Sequence, residues 1–373
     1  MHAIRFATLA LGLVAVCSAA AAERWKVLYF HDEEDTRLSI TALEFTDPQH
    51  GMAVGYYTRT DQSGKPKPAG LITNDGGKTW SPVRLPAMPV SLFLLNDRLG
   101  WLVTPDRMWR TTEFGRDWQS LAKLNNAERV CFLDENRGFA VGPRKSAYET
   151  RDGGEHWTKL AAADEPKTTK DHTVYQTIEF VNPKSGLITG WSKPPRKNRK
   201  RVQLPDWIDP EERPRELPGT AIGLETADGG ASWKPAQSSM FGRITRVRFR
   251  PDGVGLGLIE FFDAFEWPCE VMRIDWRSGK SARVFRQKNR RVTDVALPAG
   301  GPAYLAAVEP PGDLPRSPVP GKLKILRSED FTNWTEMQVD YRAVANRALL
   351  AAPAPGQLWV ATDTGMILKL VSE

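Results

Sequence analysis

TNDGGKTW, residues 73–80, recurs along the chain as TTEFGRDW (111–118), TRDGGEHW (150–157), TADGGASW (226–233) and, one residue shorter, SEDFTNW (328–334). The closing tryptophans are spaced by 38 and 39 residues and then by 76, about two periods. A fixed period of this size, with glycine turns and aromatics in each copy, marks a repeat array such as a β-propeller. In each good copy an aspartate (Asp75, Asp152, Asp228) precedes a Gly-Gly pair, which reaches positive φ without steric cost. Its carboxylate can accept N–H groups a few residues on and so stiffen the turn. Trp80, Trp118, Trp157, Trp233 and Trp334 then anchor the start of the next strand. The phrase reads as a hairpin staple. An active site needs its residues once, so these repeated carboxylates read as structural and not catalytic.

A longer unit surrounds the phrase. First comes a strand with alternate apolar residues: ITALEF (40–45), VSLFLL (90–95), ERVCFL (128–133), QTIEFV (176–181), ITRVRF (244–249) and VTDVAL (292–297). A glycine and a second apolar strand follow, at Gly51, Gly100, Gly138, Gly186 and Gly255. A third strand leads into the staple and a fourth leaves it. Six units are complete. The last, residues 347–371, supplies three strands, and Trp25-Lys-Val-Leu-Tyr-Phe30 matches the missing fourth. The sequence therefore predicts an all-β, seven-bladed β-propeller of four-stranded antiparallel blades. The amino-terminal strand closes the ring, leaving no open sheet edge.

The phrase resembles the Asp-box, or bacterial neuraminidase (BNR) repeat, of sialidases, some polysaccharide hydrolases and sortilin-type receptors. The whole unit, an I/V-x-F strand, then G-x-A-V-G, then T-x-D-G-G-x-x-W, is most similar to the photosystem II stability/assembly factor family and its relatives in non-photosynthetic bacteria. That resemblance covers nearly all of residues 25–371 and implies a secreted or lumenal seven-bladed propeller that helps assemble or stabilise a membrane or envelope complex. The degenerate copies at Phe114 and Phe331, and the missing copy around Arg277, depart from the pattern.

Residues 1–22 read as a secretory signal peptide: Arg5, an apolar run from Phe6 to Val16, and small residues up to Ala22. Residues 23–373 are then one domain, exported and periplasmic or secreted, with no later run long enough to span a bilayer. Cys131 and Cys269 fall in non-adjacent blades, too far apart for a disulfide, and are expected to be free. Net charge is +6, concentrated in Lys193–Arg201 and Arg283–Arg291. The aromatics do not interleave with these runs, so nucleic acid is not the expected partner; the runs are read as solvated loops or as docking sites for an acidic protein or anionic lipid.

No catalytic, metal or cofactor site is legible. Arg84-Leu-Pro86 resembles a sialidase arginine motif but follows the first repeat instead of preceding it, and the scattered histidines have no zinc-ligand spacing. Three features break the repeat. The insert at 192–219 is either a disordered excursion or a docking arm carrying Arg196, Lys197, Arg199, Lys200, Arg201 and the anchor Trp207. The aromatic run 260–268, with Phe262, Phe265 and Trp267, either packs over its blade or forms a contact patch. Arg246, Arg248 and Arg250 alternate along the fifth inner strand, where Arg248 either pairs with Glu179 or joins an anion site at the channel mouth. The expected function is a non-catalytic protein-binding scaffold resembling an assembly factor. The alternative is a carbohydrate-active propeller, either a glycoside hydrolase or a sugar-binding module.

Overall fold

The computed structural model describes residues 23–194, 218–262, 267–311, 319–340 and 342–372. Seven antiparallel sheets follow one another around a ring, each written from the central channel outward. Blade one is Thr36–Phe45, Gly51–Arg59, Lys67–Thr73 and Ser81–Val83, and blades two to five repeat this order. Blade six adds a short strand, Val344–Ala345, beside Gly321–Ser328. Blade seven takes Ala348–Ala354, Gln357–Thr362 and Met366–Ser372 from the chain's end and Glu23–Phe30 from its beginning. The ring-closing register runs from Glu23 opposite Ser372 to Phe30 opposite Met366, as the sequence predicted.

The strand-then-glycine pattern has a steric cause. Phe45, at the end of the first inner strand, lays its ring over Gly51, where a Cβ would sit 2.4 Å from it. Phe132 over Gly138, Phe180 over Gly186 and Phe249 over Gly255 repeat the contact. Those rings reach into the seams between blades, where most of the core lies. Phe132 stacks on Trp101 of blade two at 3.6 Å, and Phe45 on Trp359 of blade seven at 4.0 Å. Both tryptophans donate their indole N–H to a neighbouring turn, Trp101 to the Gly153 carbonyl and Trp359 to that of Gly76. Apolar side chains thus bind each blade to the next, and the indole bonds fix the turns in place.

The turns are built as read. Asp152 Oδ1 accepts the His156 N–H (2.9 Å) and the Thr150 hydroxyl (2.9 Å), while the Gly154 N–H donates to Thr150 Oγ1 (2.9 Å). Asp75 and Asp228 make the same set of bonds. In the two degenerate copies a phenylalanine takes the first glycine's place at positive φ, Phe114 at 53° and Phe331 at 64°. Each buries its ring in a seam, at 2 % and 8 % exposure, and that burial offsets the backbone strain.

Hydrogen bonds from the turn N–H groups, first among the causes for Asp75 and Asp152, hold these carboxylates down to about 2, and Asp330 is held likewise. A carboxylate depressed on folding stabilises the fold above its unfolded pKa and loses that contribution as pH falls through the folded one. The thermal midpoint is therefore expected to fall as pH drops from about 4 to about 2. Asp152→Ala should cost on the order of 1–2 kcal/mol at neutral pH and flatten part of that acid slope. A variant with wild-type stability at pH 7 would contradict the assignment.

Candidate functional site at one mouth of the channel

Inner strands all begin at the same end of the ring. Antiparallel pairing brings the ends of the second strands back to it, as Arg243 opposite Glu260 and Arg291 opposite Val308 show. The described ends of the blade-four insert, Ser192 and Gly219, and of the blade-five aromatic run, Phe261 and Cys269, therefore lie on this face, and the aspartate turns occupy the opposite one. At the centre of the face lies a cavity of ≈ 300 Å³. Five arginines line it: Arg129 from blade three, Arg243 and Arg246 from blade five, Arg291 from blade six and Arg347 from blade seven.

Two carboxylates answer them. Arg243 grips Glu260 Oε2 through Nε (3.1 Å) and Nη2 (2.8 Å) at the rim. Deeper, Arg246 Nε donates to Asp294 Oδ1 at 3.1 Å, with only 11 % and 6 % of the two side chains exposed. The backbone N–H groups of Val295 and Leu350 also donate to Asp294, at 3.0 Å each, so this carboxylate ties blades five, six and seven together. Arg291 donates to the Asn346 carbonyl. The remaining positive charge is felt by its neighbours. The charge of Arg246, then burial, then the charge of Arg347 push Arg129 down to about 9. Burial, partly countered by Asp294, pushes Arg246 down to about 10.

Below the arginines lies a second layer. Glu44, Cys131, Glu179 and Arg248 occupy equivalent inner-strand positions, opposite Met52, Phe139, Leu187 and Leu256. Arg248 Nη1 donates to Glu179 Oε2 at 3.2 Å across the boundary of blades four and five. Solvent still reaches 41 % of the Arg248 side chain. Burial raises Glu44 to about 7 and raises Glu179 as well, because the loss of hydration outweighs the attraction of Arg248.

The sequence candidates divide accordingly. Arg246 reaches the cavity, Arg248 makes the predicted seam pair, and Arg250 lies farther along. It donates to the Pro298 and Gly301 carbonyls of blade six, below the mouth. Alternation puts all three on one side of the strand, but Arg246 and Arg250 stand about 13 Å apart along it, so they do not converge. Phe262 of blade five packs edge-on against Trp191 of blade four with Lys193 over its ring, and Arg286 covers Trp267 within blade five, so the described aromatics pack on blades four and five. Arg196, Lys197, Arg199, Lys200, Arg201, Trp207 and Phe265 lie outside the described residues. Arg286 and Arg290, in the second basic stretch, are ion-paired with Glu270, Glu309 and Glu336. Cys131 and Cys269 are free, the first in the channel and the second accepting the Val292 N–H.

Sequence reasoning missed Arg129, Arg243, Arg291 and Arg347. Each begins or directly precedes an inner strand, in RVCF, GRITR, RRVTD and NRALL, and that shared position was the available signal.

No protein-family model and no curated protein matches the sequence. Solved structures do. YCF48 bound to D1 peptide is similar at 18 % identity and TM-score 0.60, over 94 % of this chain and 97 % of that one. YCF48 from Cyanidioschyzon merolae is similar at 18 % identity and TM-score 0.56, over 93 % and 98 %. A GH74 xyloglucanase from Xanthomonas campestris is similar at 13 % identity and TM-score 0.58, over 92 % of this chain and 53 % of that one. At these identities the likeness shows the fold: the chain is a β-propeller resembling YCF48 over nearly the full length of both.

Proposed function

We propose that the protein is an exported, non-catalytic scaffold that binds an acidic protein partner through its arginine-bearing face and assists assembly or stability of a membrane or envelope complex. The observation that carries this reading is the convergence of five arginines, from four blades, on the face where the chain leaves Ser192 and returns at Gly219. Per-repeat insertions gather on the binding face of repeat proteins, and a basic mouth steers an acidic partner. YCF48, similar in fold, is described bound to a peptide. Kinship with the Asp-box propellers, a leader ending at Ala22 and a periplasmic location belong to the same reading.

The second reading, a carbohydrate-active propeller, draws support from the xyloglucanase likeness. A glycoside hydrolase needs two carboxylates flanking the scissile bond, one of them held protonated. Among the described residues the two carboxylates at this mouth are engaged by arginines, which speaks against that chemistry at the mouth, while Glu44, raised to about 7 in the layer below, is the carboxyl such chemistry would draw on.

Partner capture from envelope extract should weaken as salt is raised, because exposed charges are screened beyond about 8 Å at 0.15 M. A variant with residues 195–217 replaced by a short Gly-Ser linker should stay folded and capture less, and adding Arg243→Ala should weaken capture further. Salt-insensitive, undiminished capture by both would place the binding face elsewhere. Turnover of xyloglucan fragments by the wild type would favour the hydrolase.

A further inference from the structure

Among the described residues the central cavity holds more positive charge than its carboxylates neutralise. Glu260 is taken by Arg243, and Asp294 by Arg246 and two backbone N–H groups. Among the described residues Arg129 and Arg347 have no carboxylate within ion-pairing distance, although both line the well. Three guanidinium groups, from blades three, five and seven, thus face a common space from different sides. Their mutual repulsion is direct, since the charges of Arg246 and Arg347 both act on Arg129.

We propose that this well is a binding site for a small, multiply charged oxyanion of the phosphate or sulfate class, free or carried on a small organic molecule. A single carboxylate presents its acceptors in one plane and satisfies one guanidinium fork well. A tetrahedral dianion presents acceptors in every direction and can receive N–H groups from Arg129, Arg246 and Arg347 together. The volume, ≈ 300 Å³, admits such an ion with its residual water, each water occupying about 30 Å³. Partial enclosure by protein strengthens each contact relative to bulk water. The site goes beyond the partner-binding reading and stands without it, because its test uses the isolated protein.

Thermal unfolding of the purified protein should be followed in inorganic phosphate, glycerol 3-phosphate and chloride at matched ionic strength. A ligand that binds only the folded state raises the midpoint by mass action, here by about 2–4 °C at about 100 times the dissociation constant. Phosphate or its ester should produce that rise, chloride should not, and the stronger of the two identifies the free or the carried oxyanion. Arg129→Met should abolish the response and raise the midpoint without anion by relieving the repulsion, an effect that loss of a structural contact would not produce. Should that variant fail to fold, Arg347→Met serves the same purpose, and Arg151→Met, on the opposite face, should respond as wild type. An equal rise in chloride, or a full phosphate response in the Arg129 and Arg347 variants, would overturn the assignment.

Discussion

A chain lacking residues 23–31 is expected to aggregate or to lose most of its stability. Seven residue pairs join Glu23–Phe30 to Met366–Ser372, and Trp25 and Val27 pack against the apolar cluster between blades six and seven. Leu28 and Tyr29 pack on the next cluster round, between blades seven and one, and Glu23 receives Arg327 of blade six. The backbone bonds contribute about 1 kcal/mol each and the larger side chains about 1.5–3 kcal/mol each. The total is on the order of 10 kcal/mol, comparable to the whole stability of an ordinary domain. Deletion also bares Met366–Ser372 as an unpaired edge, a template for pairing with another chain. Size-exclusion chromatography and thermal unfolding test this directly. A soluble monomer with an unchanged midpoint would remove the strand from its role as clasp.

Asp294→Ala should be the most damaging point substitution at the site. It leaves Arg246 nearly buried without its counter-charge and deprives the Leu350 N–H of its acceptor. Removing one partner of a buried pair costs about 3–5 kcal/mol, and here the orphaned cation also faces Arg129. Asp294→Asn keeps an acceptor for Leu350 and should fall between the alanine variant and wild type. Arg246→Met added to Asp294→Ala should restore part of the loss, since it removes the uncompensated charge. Urea midpoints give the comparison, and an alanine variant within about 1 kcal/mol of wild type would rule out this part of the account.

The ring was legible because its determinants are local. Phe45 and Gly51 lie six residues apart and pack on each other, as do Phe180 and Gly186, so each contact is written inside one repeat. Even the degenerate turns obeyed the rule, with Phe114 and Phe331 accepting the glycine conformation. The cavity was not legible because no repeat contains it. Arg129 and Arg347 are 218 residues apart in sequence and meet only when the ring closes. Reading Arg246, Arg248 and Arg250 as one group followed sequence proximity, whereas the channel sorts side chains by height. Arg248 therefore descends to Glu179, while Arg246 stays at the mouth with partners from other blades.

The pairing of the earliest strand with the latest also fixes the order in which the molecule can be completed. Blades one to six can each condense from contiguous chain, but Glu23–Phe30 has no partner until Met366–Ser372 exists. Closure across so long a span is slow, because the loop entropy is lost before any contact compensates it. Until then two sheet edges stand open at once, and they are complementary to each other in register. Two unfinished copies side by side could exchange their first strands, each completing the other's seventh blade. Slow synthesis or crowding would thus turn the clasp from a ring closure into a route to domain-swapped pairs.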